Sequence, residues 1–352
     1  MKTLTRSLCA LAVGACLLLA AIGGASGRRV NVFDPPLSGD LAEALRTDAP
    51  RLFYLPYVEG RGWFAPDSNG FRLAAPGTEL YGDGAFGEDV GLRYWADPAV
   101  AELRGTGNST VLTIATHHVY VHDLVISNNR GPVQGGGDGI RYDEQATIWQ
   151  IQLERVAVLY PGRYALLFRP QPYPDGTTNF VVAPVLRDVS AFGFGGEAGI
   201  RVEDATAMDW SNVVSTRGAG KGFIFRRLQS SHLNRLTAET VTGGILIEDS
   251  DDVTLTAPHL EDWAGSGPKP AAGIILRNCR GCVIGGGFFG EWGRPGAVSI
   301  RLEGCTGCTV LSNSHYGVAT AVYGDAACRG NVIHAQAGAR IEIDRRRNRV
   351  LE

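Results

Sequence analysis

The chain has no surplus of basic charge: 33 Lys and Arg stand against 36 Asp and Glu, for a formal net charge of −3. A surface able to neutralise a phosphate backbone is missing, which excludes nucleic acid as a partner. The short run Arg345 to Arg347 reads as a solvated terminus. Helical periodicity is scarce as well. With 352 residues, 47 Gly and 44% hydrophobic residues, the chain can bury a large core, but as one elongated domain rather than two globules. Nor does any apolar run reach the about 20 residues of a membrane span. The candidate runs from about Leu8 to Ile22, between Lys2 and Arg6 on one side and the small residues Gly23 to Gly27 on the other. Residues 1–27 therefore read as a cleavable export signal, leaving 28–352 as a single domain that is secreted, periplasmic or on the cell surface. An uncleaved signal, which would be the only tie to a membrane, and lipidation at Cys16 stay open.

What is present is a repeating charge pattern. Seven segments share a four-residue ending in which the fourth residue changes sign each time: Ile140 to Asp143, Leu166 to Arg169, Ile200 to Glu203, Phe223 to Arg226, Ile245 to Glu248, Ile274 to Arg277 and Ile300 to Glu303. Side chains alternate faces along a strand, so the first and third residues of each ending point inward and the fourth outward. Neighbouring strands lie about 4.8 Å apart, where like charges repel and opposite charges pair. The pattern predicts seven stacked strands in this order, with Asp325 breaking the alternation after Glu303. The spacings of 26, 34, 23, 22, 29 and 26 residues suit a solenoid with loops of variable length. A second alternating strand follows in several coils, as at Val119 to Val121, Val253 to Leu255, Val283-Ile284 and Thr309-Val310. Gly139, Gly199, Gly222, Gly244 and Gly273 precede the first strand, where a tight corner would need a permissive backbone. The fold class is all-β: a right-handed, single-stranded parallel β-helix, with a capping region at about 28–50 and coils over about 51–350.

After removal of the signal, the cysteines left are Cys279, Cys282, Cys305, Cys308 and Cys328. Two CxxC pairs at this distance can be read as a zinc site. In the repeat, however, Cys279 and Cys305 are equivalent, as are Cys282 and Cys308. Stacking at a turn, together with export, predicts disulfides Cys279–Cys305 and Cys282–Cys308, with reduced thiols and zinc as the alternatives.

Ser38 to Thr47 reads as a short amphipathic helix able to cap the open core of a first coil. It is followed by Leu52-Phe-Tyr-Leu-Pro56, by Gly77-Thr-Glu-Leu-Tyr-Gly-Asp-Gly84 and by the two alternating strands of Ser109 to Ser127. This order resembles the pectate-lyase-like β-helix superfamily, which includes polysaccharide lyases, glycoside hydrolases and tailspike depolymerases. The resemblance covers most of residues 38–320 and implies the fold and a polysaccharide partner. It does not choose a reaction, because members share coils and differ in their sites. Gly137-Asp138-Gly139-Ile140 matches part of the Asn-Thr-Asp-Gly-Ile pattern of polygalacturonases, but their later paired-Asp and Gly-His-Gly elements are missing. The runs of calcium-dependent pectate lyases are missing too, so calcium is unsupported and no cofactor is expected.

Two groups of residues remain as candidates. The edge before the first strand offers Asp138, Glu197 and Lys221 as catalytic groups, with Arg163 for a substrate carboxylate. The endings Pro258 to Trp263 and Phe288 to Trp292 each place a carboxylate beside an indole. Glu261 and Glu291 on adjacent rungs would lie about 5 Å apart, compatible with a retaining pair, with Trp263, Trp292 and Arg294 binding sugar. Turn capping, surface solvation or pairing with Arg294 and Lys269 would account for the same acids. Trp95, Tyr173, Trp263 and Trp292 lie in segments that break the coils, where they either stack on sugar or anchor the loops. His117, His118, His122 and Asp123 read as a polar solvent face rather than a metal site. The reading is an exported carbohydrate-active protein, a lyase or a glycoside hydrolase. A non-catalytic β-helix that binds carbohydrate or serves as a surface structure is the alternative.

Overall fold

A computed structural model describes residues 29–31, 41–46, 51–57, 63–64, 70–83, 100–105, 108–128, 136–142, 148–173, 175–177, 179–263, 272–291, 296–334 and 336–351. Residues 1–27, which read as an export signal, lie outside the described residues, as do Trp95, Asp143, Lys269, Trp292 and Arg294. The chain is a right-handed parallel β-helix. Among the described residues its front sheet has 11 strands, its back sheet 18, and a narrow side sheet three. Every pairing between the named strands is parallel and joins one coil to a neighbour in the stack.

The front sheet takes the seven segments in the expected order. Ile140, Leu166, Ile200, Phe223, Ile245, Ile274 and Ile300 are successive register partners. The sheet extends beyond them, through Leu112 to Phe71 at one end and through Val322 to Ile341 at the other. These residues point into the solenoid. They face the back-sheet column Val121, Leu153, Leu186, Trp210, Leu233, Leu255, Ile284 and Val310, all at most 1% exposed. The helix, Leu41–Leu45, buries Leu41, Ala42, Ala44 and Leu45 against the first coils, the place expected of a cap.

The fourth-position charges pair as stacked. Arg226 Nε lies 2.7 Å from Glu248, whose other oxygen is 2.9 Å from Arg277 Nη1; Arg277 Nε reaches Glu303 at 2.7 Å. Asp325 leaves this ladder, accepting from the backbone N–H groups of Gly304, Ala327 and Cys328. Burial acts to raise its pKa, but these hydrogen bonds outweigh it and hold the carboxyl below its ordinary value.

Corners are made by single residues in the left-handed region. In the coil beginning at Ala198 they are Asp204, Ala207, Asn212 and Arg217, with φ of 52°, 53°, 54° and 54°. Such residues stack from coil to coil, and their side chains bond along the stack. Arg155 clasps Asp123 at 2.6 and 2.9 Å, Asn212 Nδ2 donates to Asp188 at 2.6 Å, and Arg227 clasps Asp204 at 2.6 and 2.7 Å. These bonds offset the cost of a non-glycine residue at positive φ.

The glycines before the front strands serve packing rather than backbone freedom. A Cβ at Gly199 would stand 2.1 Å from Ser215 Oγ, and one at Gly244 2.1 Å from Gly273 O and 2.3 Å from Leu260. The back-sheet side chains fill that space, and neither glycine has a positive φ.

The described cysteines, Cys279, Cys282, Cys305, Cys308 and Cys328, are free thiols at the turn after the front sheet, each at most 1% exposed. The expected disulfides Cys279–Cys305 and Cys282–Cys308 are not formed. In-register parallel stacking keeps equivalent Cβ atoms about 4.8 Å apart, beyond the mean of about 3.8 Å in a disulfide. Each sulfur instead lies against a carbonyl of the preceding coil, as for Cys279 Sγ and Ile247 O at 3.3 Å and Cys305 Sγ and Leu276 O at 3.2 Å. Neighbouring thiols and burial together push the Cys279 and Cys328 thiols well above the ordinary range. Among the described residues no group of three or more His, Cys, Asp or Glu is placed to hold a metal ion.

Candidate functional site

Three consecutive front strands, Leu166–Phe168, Ala198–Glu203 and Lys221–Arg226, carry a concentration of charged and phenolic side chains on their outer face. Register builds it. Ala198 pairs with Lys221, and Ala165 N donates to Gly199 O at 2.7 Å, so Tyr164, Ala198 and Lys221 form one column. The small Ala198 separates the phenol from the ammonium by two rungs, about 10 Å between backbones.

Arg201, two positions before the ladder residue Glu203, ties this column together. Its Nη1 donates to Glu197 Oε2 at 2.6 Å and to the Tyr164 hydroxyl at 3.0 Å, while Nε donates to Glu203 at 2.7 Å. The Tyr164 hydroxyl in turn donates to Glu197 Oε2 at 3.3 Å. The Arg163 and Arg201 guanidiniums lie 5.9 and 5.7 Å from the centre of the Tyr164 ring. Burial alone would lower the Arg201 pKa, but the hydrogen bond to Glu203 outweighs it and the group stays charged.

At the other end of the strands a cleft of about 460 Å³ opens between Arg169, Pro170, Gln171, Pro172, Glu203, Asp204 and Arg227. Glu203 is 4% exposed. Burial would raise its pKa, yet Arg201, Arg169 and Arg227 together hold it below the ordinary carboxylate range. Arg227 bonds both Asp204 and Glu203, which raises its own pKa. Arg169 is the looser member, 57% exposed and 3.6 Å from Glu203. The acids of the cleft are thus neutralised from within, while the Arg169 and Arg227 heads border the opening. Arg227 commits its Nε and Nη2 to Asp204 and Glu203, so Arg169 is the cation best placed to meet an anionic ligand.

The structure brings together part of what the sequence singled out. Glu197 is exposed and shares Arg201 with Tyr164, and Lys221 stands nearby with its stem over Gly243. Asp138 is fully buried and bound by Arg163 at 3.1 and 2.7 Å, so it is a structural ion pair out of reach of a ligand. The pair Glu261 and Glu291 is not formed. Glu261 pairs in register with Gly290, which puts Glu291 one residue out of step; Glu261 faces outward beside His259 at 3.2 Å, while Glu291 is 1% exposed. Trp263 is fully buried with its ring edge-on to Phe289, 6.3 Å between centres, and is a core side chain rather than a sugar platform. Tyr173 is 43% exposed at the turn that follows the cleft wall.

The histidines lie on the back sheet. His122 sits between Asp123 Oδ2 at 2.7 Å and Glu79 Oε1 at 3.0 Å, and its ring stacks on Tyr81 and Tyr120. His118 bonds Gln150 at 2.8 Å. Tyr164, Arg169, Arg201 and Arg227 were missed as site residues. Aligning the segments would have put Tyr164 in the Lys221 column, because each lies two residues before the leading apolar position. Nothing in the sequence marked the cleft.

No protein-family profile and no curated protein sequence matches the chain. Among solved structures it is similar to DFA-IIIase from Arthrobacter chlorophenolicus A6, at 14% identity over 92% of this chain and 98% of that one, with a TM-score of 0.54. It is also similar to the A-module of a mannuronan C-5 epimerase from Azotobacter vinelandii, at 16% identity over 88% and 91%, with a TM-score of 0.51. At these identities the likeness is one of fold.

Proposed function

We propose that the protein is an exported enzyme that cleaves an acidic polysaccharide along the outer face of the front sheet. One observation carries the reading: a cleft of about 460 Å³, edged by Arg169 and Arg227, lies at the other end of the same three strands from the Tyr164, Glu197, Arg201 and Lys221 cluster, and the Arg201–Glu203 hydrogen bond joins the two. A volume of this order accommodates small ligands. Guanidinium forks suit carboxylates, and the cluster supplies groups able to move a proton. The fold is one on which DFA-IIIase and a mannuronan C-5 epimerase are also built, which makes mannuronan a member of any substrate panel.

A non-catalytic, carbohydrate-binding role is the second reading. It is favoured by the loss of Asp138 and Glu291 to the interior, which leaves fewer acids for chemistry than the sequence offered.

The test is to incubate the purified protein with acidic and neutral polysaccharides while following new reducing ends and the ultraviolet absorbance of a double bond conjugated to a carboxylate. Turnover restricted to acidic polymers, with a KM about 10-fold or more higher in Arg169→Ala/Arg227→Ala, supports the proposal. Binding without turnover would move the assignment to the second reading, and turnover of neutral polymers alone would refute the acidic preference.

A further inference from the structure

Resting on that reading, we infer that Tyr164 is the proton-transfer residue of the cluster, that Arg201 positions it, and that the reaction is β-elimination at a uronic acid. The Tyr164 hydroxyl has an acceptor on one side, Glu197 Oε2 at 3.3 Å, and a cationic donor on the other, Arg201 Nη1 at 3.0 Å. A phenol so placed can pass its proton to Glu197 and leave a phenolate held by the guanidinium. Arg201 is itself fixed, with 11% of its side chain exposed and Glu203 and Glu197 holding it at both ends. The phenol is half-buried at the front edge, and its ring is steadied by the Arg163 and Arg201 guanidiniums. Lys221 lies in the same column beyond Ala198, with its stem over Gly243 on the side away from Tyr164.

The step balances. The Tyr164 proton goes to the Glu197 carboxylate, and the phenolate takes the hydrogen at C5 of the uronate as a proton. The electron pair of that C–H bond forms the C4–C5 double bond while the C4–O bond breaks. The departing oxygen leaves with its electron pair, takes a proton from water and becomes a hydroxyl on the released chain. Tyr164 is restored, and the hydroxide left by that water takes the proton held on Glu197. No oxidant, reductant or metal enters.

Tyr164→Phe tests this, because it keeps the ring and its stacking and removes only the hydroxyl. Arg201→Lys keeps the charge and loses the fork. With an acidic polysaccharide that the wild-type protein turns over, Tyr164→Phe is expected to lower kcat by about 10²-fold or more with KM within threefold, and an unchanged melting temperature confirms its fold. Arg201→Lys is expected to fall between the two and to shift the basic limb of the pH profile, which a purely structural role would not do. Turnover by Tyr164→Phe within threefold of wild type overturns the inference and leaves the proposed function standing. Reducing ends without a conjugated double bond would mean hydrolysis, with the same consequence. No turnover by the wild-type protein on any acidic polymer overturns the proposed function, and the inference with it.

Discussion

Reversing one charge in the ladder should cost far more than removing it. Arg226 stands between Glu203 and Glu248, 3.6 Å from the first and 2.7 Å from the second, and only 28%, 6% and 15% of the three side chains are exposed. In Arg226→Gln the two attractions are lost, at about 1 kcal/mol each for partly buried pairs. In Arg226→Glu three carboxylates stand on consecutive rungs about 5 Å apart, and each like-charge contact adds about 1 to 3 kcal/mol at effective dielectric constants of about 20 to 60. The glutamate variant should therefore be about 2 kcal/mol or more less stable than the glutamine variant. Urea unfolding at low salt measures this as a shift of midpoint with the slope preserved. In about 1 M NaCl the screening length falls to about 3 Å, and the gap between the variants should shrink to less than half. Equal stabilities for the two variants, or a gap indifferent to salt, would refute the electrostatic account and leave the column as ordinary packing.

His315 predicts a pH-dependent loss of stability. Burial lowers its pKa from 6.5 to about 4, with Nδ1 hydrogen-bonded to Ser299 Oγ at 2.8 Å and the ring stacked on Phe289. The folded protein binds fewer protons than the unfolded one between these values, so this contribution is complete above pH 6.5 and is lost as the pH falls toward 4, up to about 3 kcal/mol. His315→Phe, which continues the Leu260 and Phe289 column, should flatten denaturation midpoints measured over that range. Gly244→Ala should destabilise by about 2 kcal/mol or more, since its Cβ meets the backbone oxygen of Gly273, while Gly243→Ala meets only the Lys221 stem at 3.1 Å and should be tolerated; thermal melts of the two decide. Thiol titration should find Cys279, Cys282, Cys305, Cys308 and Cys328 unreactive in the native protein and all reactive in denaturant without reductant; a shortfall of two or four would restore the disulfides.

The axial order of this molecule was legible in its sequence. Strands that alternate apolar and outward residues, with a sign change at each repeat, have one stacking order that avoids like charges, and Glu203, Arg226, Glu248, Arg277 and Glu303 stack in that order. The repeat also placed Cys279 opposite Cys305 and marked Glu197 and Lys221 as edge residues of adjacent coils. What it could not supply was which way a side chain turns at a corner. The spacing of 29 residues from Ile245 to Ile274 sets Glu261 opposite Gly290, so Glu291 falls one residue beyond it and into the interior, while Trp263, just past the corner at Asp262, turns into the core. The corners were hidden for a related reason, because Arg155, Arg227 and Ala207 adopt positive φ under the constraint of stacked neighbours rather than from their own preference. Arg169 and Arg227 are 58 residues apart in the chain and meet only when three coils are wound. A sequence with a strict strand period thus determines which rung follows which, through repulsions and pairings that act between equivalent positions. The cleft belongs to the tertiary structure alone: the repeat makes Arg169 equivalent to Glu203 and Asp204 equivalent to Arg227, but the space they border beside Pro170, Gln171 and Pro172 exists only once the segment after Arg169 has left the coil.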